Sequence, residues 1–128
     1  MDFKPEGYNS VSPYLLVDGA DLVIDFLKTV FDAKELCRFA DESGHLRHAE
    51  VRLDDTVLML ADCTDDLPAV PSHVHVFVRD VEEAYRRALA AGAIAVREPF
   101  RDGDDDLRGG VFHPGGVTWW IASKKSRP

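Results

Sequence analysis

The chain repeats itself. Displacing it by 61 residues lays Pro13-Tyr14-Leu15-Leu16-Val17 on Val74-His75-Val76-Phe77-Val78, and Asp54 to Ala61 on Gly115 to Ala122. A period of this length means that one supersecondary unit is used twice, which restricts the fold to architectures built from paired copies. Each copy opens with an alternating strand run, and a helix follows. The first helix is expected from about Asp18 to Phe31, with Leu22, Val23, Phe26, Leu27 and Val30 at helical spacing and Asp18 or Asp21 as N-cap. In the second, Asp80 and Glu83 make a capping box ahead of the stripe Val81, Ala84, Tyr85 and Ala88, and Gly92 supplies the stop. Three strand-like stretches come after each helix, so the unit is βαβββ. The expectation is an α+β fold of two modules, about 11–63 and 72–123, joined by the Pro-containing linker 64–71 within a single domain, 1–128.

Composition narrows the function classes. With 128 residues and 45% hydrophobic content the chain can bury one core. Fifteen Lys and Arg against 23 Asp and Glu leave a net charge of −8, which repels phosphate backbones and anionic membrane surfaces, so neither nucleic acid nor membrane is expected as a partner. No apolar run approaches the roughly 20 residues that span a bilayer, and Met1 to Ser10 lack the apolar stretch of a secretory leader. A cytoplasmic location is the expectation. Cys37 and Cys63 fit neither a disulfide framework nor a CxxC site and read as free thiols. Gly-x-Gly-x-x-Gly, P-loop and Gly-x-Ser-x-Gly motifs do not occur. Asp102 to Asp106 opens like a calcium loop, but Leu107 stands where glycine is needed and His113 where the bidentate glutamate belongs, so it reads as a solvated acidic loop.

A helix packed on a four-stranded sheet requires one apolar sheet face. Ala49, Val51 and Leu53 supply it on one strand, Leu58 and Leu60 on the next, and Val74, Val76 and Val78 in the second copy. The alternate positions then face a concavity: Ser12, Tyr14 and Leu16; His48, Glu50 and Arg52; Val57 and Met59; His73, His75 and Phe77; Thr118, Trp120 and Ala122. If the two modules enclose one cleft, its walls are mixed polar and aromatic, as suits a small organic molecule.

Four stretches in this order, Val17 to Ala33, His48-Ala49-Glu50-Val51, Val78-Arg79-Asp80-Val81 leading to Ala90-Ala91-Gly92-Ala93, and His113 to Trp120, resemble the vicinal oxygen chelate superfamily, the glyoxalase/bleomycin-resistance/dioxygenase group. The nearest flavour is its branch similar to phosphonate-operon-like glyoxalase-fold proteins. The resemblance covers nearly the whole chain. It implies a homodimer, and for the family's metal enzymes it places the ligand positions at Ser12, Met59, His73 and Trp120. Of these only His73 is a competent donor, so the usual metal site is not expected.

Two readings of the cleft follow. In the first the protein binds a small organic ligand, as in drug or metabolite sequestration and antibiotic resistance, through Tyr14, His48, Glu50, Arg52, Met59, His73, His75, Phe77, Arg108 and Trp120, without a cofactor. Trp120 stacks on a planar ligand or plugs the emptied metal site, and the net negative charge suits a cationic drug. In the second, His48, Glu50, His73 and His75 hold a divalent metal in a rearranged site, giving a lyase, isomerase or dioxygenase-like enzyme. Arg108 reaches an anionic group or forms an ion pair, Trp119 belongs to the core, His45 faces solvent and His113 caps its turn.

Overall fold

The structure, a computed structural model, describes residues 2–101, 103 and 106–124. Within them the order is β1 (Tyr14–Val17), α1 (Ala20–Phe31), β2 (Lys34–Ala40), β3 (Leu46–Leu53) and β4 (Thr56–Asp62), then β5 (Ser72–Phe77), α2 (Val81–Ala90), β6 (Ile94–Arg101), β7 (Leu107–Phe112) and β8 (Val117–Ser123). The strands form two four-stranded sheets, β1-β4-β3-β2 and β5-β8-β7-β6. In each the first strand runs parallel to the last and the others are antiparallel. The 61-residue period carries into the register, since Tyr14 pairs with Met59 in one sheet and His75 with Trp120 in the other.

Helix α1 buries Val23, Ile24, Phe26, Leu27 and Val30. Leu22, expected on this stripe, is exposed, and Ile24 takes its place one turn-face further round. Its N-terminus is also capped differently from expectation. Gly19 is the N-cap and has no side chain to offer; the Ala20 N–H instead donates to Asp62 Oδ1 of β4 at 2.7 Å, while Oδ2 of the same carboxylate accepts the Leu46 N–H at 2.8 Å. One carboxylate thus ties a helix start to two strands. Helix α2 is capped as its sequence predicts, Asp80 accepting from the Glu83 N–H at 3.1 Å. The reciprocal half of the box is not used, because the Glu83 carboxylate pairs with Arg86 and Arg87, which hold it down to about 2. Both helices end on a left-handed residue, Gly92 (φ 102°) after α2 and Asp32 (φ 56°) after α1, so aspartate does in one copy what glycine does in the other.

Both helices and the inner faces of both sheets share one core. Ala49, Val51, Leu58 and Leu60 of the first sheet and Val76, Val111, Val117, Trp119 and Ile121 of the second belong to it. Trp119 is the largest fully buried side chain, packed against Phe26 (ring centroids 5.4 Å) and Phe31 (6.1 Å) of α1. A side chain of that size contributes on the order of 4 kcal/mol of transfer free energy, so it binds the second module to the helix of the first. Gly115 adds to this seam: a Cβ there would come within 2.6 Å of Val23 Cγ2.

This arrangement corrects the picture of a single cleft between the two modules of a chain. With both inner faces turned to a common core, the alternate residues of each sheet point away from it, and the chain presents two separate open faces. Each predicted face is formed; they do not look at one another.

Candidate functional site

The ten predicted binding residues divide equally. Tyr14, His48, Glu50, Arg52 and Met59 lie on the open face of the first sheet, and His73, His75, Phe77, Arg108 and Trp120 on that of the second.

On the first sheet Glu50 is the hub. The Tyr8 O–H donates to Oε1, and His48 Nε2 lies 2.8 Å from Oε2. The bond from Tyr8, then that from His48, hold the Glu50 carboxyl below its ordinary range, and the same bond to Glu50 raises the Tyr8 phenol. Burial and then the charge of Glu50 raise the half-buried thiol of Cys37, its cross-strand neighbour. Arg52 donates to the Gly7 carbonyl at 2.8 Å and lies over the Tyr8 ring at 5.8 Å. These contacts fold residues 3–12 across the sheet and leave a cavity of about 410 Å³, lined by Phe3, Lys4, Tyr8, Tyr14, Glu50 and Met59 among others. A second cavity of about 320 Å³ lies at the β1–β4 end, where His45, expected in solvent, is half-buried with Nε2 3.2 Å from the Cys63 carbonyl.

On the second sheet the central feature is Trp120. Its indole lies over Gly110, its cross-strand partner: a Cβ on Gly110 would stand 2.6 Å from Cζ3 and 2.7 Å from Cε3. Glycine in the middle of a strand here clears the seat for a ring. The indole N–H donates to His73 Nδ1 at 3.0 Å, joining two nearly parallel rings edge to edge with centroids 6.2 Å apart. The Arg97 guanidinium, one strand beyond Gly110, lies over the indole at 5.6 Å and over Phe100 at 5.7 Å. Arg108 Nε donates to His75 Nε2 at 3.3 Å, and its Nη2 is 4.0 Å from Asp106. Burial, then the charge of Arg108, push the His75 pKa down, which suits an imidazole that accepts an N–H. Phe77 packs on His75 with centroids 4.8 Å apart and is itself exposed.

Sequence reasoning passed over Tyr8, Arg97 and Gly110. Gly109-Gly110 inside a strand was a usable sign of close approach; nothing local marks Tyr8, which lies 42 residues from its partner. His113 caps its turn as expected, its Nδ1 3.3 Å from the Gly116 N–H. The calcium-loop comparison falls on Asp102, Asp104 and Asp105, outside the described residues.

Within a single chain, neither predicted metal arrangement assembles a set of donors that suits the ion. At the ancestral positions the donors are the Ser12 hydroxyl, the Met59 thioether and His73, whose Nδ1 already accepts from Trp120; the indole N–H has no lone pair to give. The rearranged set is split, His48 and Glu50 on one sheet and His73 and His75 on the other, and no three His, Cys, Asp or Glu among the described residues stand close enough to hold a metal. The common core lies between the two pairs.

Paired βαβββ modules, each a helix packed on a four-stranded sheet, define a class of small two-module proteins. The sequence model of the Glyoxalase/Bleomycin resistance protein/Dioxygenase superfamily matches residues 8–121, and the chain belongs to that superfamily. An uncharacterised protein of Mycobacterium bovis is 35% identical over 124 residues, covering 86% of this chain and 80% of that one. Among solved structures, a putative 3-demethylubiquinone-9 3-methyltransferase, PhnB protein, from Bacillus cereus superposes with a TM-score of 0.71 at 16% identity, over 90% of this chain and 99% of that one. TnmS3, an antibiotic binding protein from Streptomyces sp. CB03234, gives 0.69 at 17% identity, over 92% and 100%. At these identities the structures share the fold. No helix among the described residues is long and apolar enough to cross a membrane.

Proposed function

We propose that the chain is a cytoplasmic small-molecule-binding protein that sequesters a drug or metabolite, and that it does so as a homodimer without a catalytic metal. The observation that carries this reading is the Trp120 indole, seated over Gly110 on an open sheet face and held there by His73. A ring fixed in this way is a platform for a planar ligand and loses little freedom when one binds. The first sheet contributes a cavity of about 410 Å³, within the range of roughly 300–1,000 Å³ that small molecules occupy. In the dimer, the first sheet of one copy closes over the second sheet of its partner and joins the cavity to the platform. That TnmS3 binds an antibiotic supports the same reading.

The test is a screen of planar aromatic compounds against the natively purified protein, read by tryptophan emission and calorimetry, with elemental analysis of the same sample. Binding is expected with quenching, without stoichiometric zinc, nickel, manganese or iron, and Trp120→Ala should abolish it. Unchanged affinity in Trp120→Ala, or about one tightly held metal per chain, would overturn the proposal.

A further inference from the structure

We infer that the ligand of the second sheet is a planar aromatic bearing an acidic group such as a carboxylate. This rests on the binding role proposed for Trp120. Over the whole chain the charge is −8, which taken alone favours a cationic ligand. Among the described residues beside the platform the sign reverses. A cation already stands near the indole, the Arg97 guanidinium at 5.6 Å from the ring centroid, and a second guanidinium, Arg108, stands on the neighbouring strand. Among the described residues no carboxylate lies within 4.0 Å of Arg97, and Asp106 reaches Arg108 only at that limit.

Arg108 is also oriented. Its Nε is engaged by His75, so the guanidinium is held by one nitrogen with Nη atoms left for an acceptor, the geometry that favours a carboxylate over a neutral group. The first sheet does not supply that carboxylate in the proposed dimer, because both oxygens of Glu50 are engaged within its own chain, by Tyr8 and His48. A cationic aromatic therefore meets two guanidinium groups, and an anionic one finds two partners beside an aromatic surface.

The experiment compares three probes of one shape on the full chain by calorimetry: 2-naphthoate, 2-naphthalenemethanol and 2-naphthylmethylammonium. The expected result is naphthoate tighter than the alcohol by about tenfold, the ammonium weakest, and a naphthoate-to-alcohol ratio falling toward one in Arg97→Gln, in Arg108→Gln and at about 0.5 M salt. The salt series needs no variant and so does not depend on how either substitution folds. Equal or tighter binding of the alcohol or the ammonium overturns the acidic-ligand inference and leaves the aromatic platform standing. Failure of all three probes to bind overturns the platform itself, and the inference with it.

Discussion

Glu50 shows how a single side chain organises a sheet face. It is charged, half-buried and bonded through both oxygens, one to an N-terminal tyrosine and one to a histidine two residues away on its own strand. Its folded pKa is held below the ordinary 4.5, so the stability it contributes is fully present above that value and is lost as pH falls through the folded one. Glu50→Gln should therefore cost on the order of 1–2 kcal/mol at pH 7, with the gap to the parent protein closing as pH falls below 4.5. Urea titrations across that range measure it; a gap independent of pH would mean that the charge is not its source. Gly110 makes a complementary point, because its missing side chain is the functional feature. In Gly110→Ala the new methyl displaces the indole, and aromatic-ligand affinity should fall by about tenfold or more, about 1.4 kcal/mol, while the cooperative unfolding transition is kept. Near-UV circular dichroism reports the displaced ring, and an unshifted spectrum with full affinity would show that the seat is not required.

The helices differ most at their starts. Asp80 caps α2 from an adjacent position, whereas α1 begins on a bare glycine and borrows Asp62 from the far end of its module. Asp62→Ala removes a charged acceptor from two backbone N–H groups and should cost about 2–4 kcal/mol; Asp80→Ala removes one local cap and should cost about 1 kcal/mol. Denaturant midpoints for the two variants give the comparison, and a larger loss for Asp80→Ala would reverse the assignment. The same contrast explains what the sequence discloses. Strand alternation, the stripe of α2 and the Asp80 cap depend on neighbours within a few residues, so the period of 61 and the inward faces could be read directly. Asp62 with Ala20 and Tyr8 with Glu50 are each 42 residues apart, and no local spacing signals them. Arg97 was missed for a similar reason, since it reaches the platform only through cross-strand register with Gly110.

At the scale of the whole molecule, alternation says which residues leave the core but not what they meet outside it. That is set by Trp119, which belongs to the second sheet and packs on Phe26 and Phe31 of α1, turning both inner faces to one core and both candidate faces outward. The site expected as one cleft is accordingly two half-sites, which a second copy of the chain would join. Tyr14 on β1 and Phe77 on β5, the equivalent edge strands of the two sheets, stand 52% and 62% exposed, an aromatic exposure that a partner sheet would cover. Sedimentation at micromolar concentration should give twice the chain mass of 14.3 kDa. Phe77→Asp, which places a carboxylate in that interface, should shift the protein toward the monomer and weaken aromatic-ligand binding in parallel. Leu22→Asp, on the exposed side of α1, adds the same charge away from either face and should change neither quantity. A parent protein that sediments as a monomer while still binding its ligand would confine the site to one chain, and Trp120 with Arg97 and Arg108 would then act as an open platform without a roof.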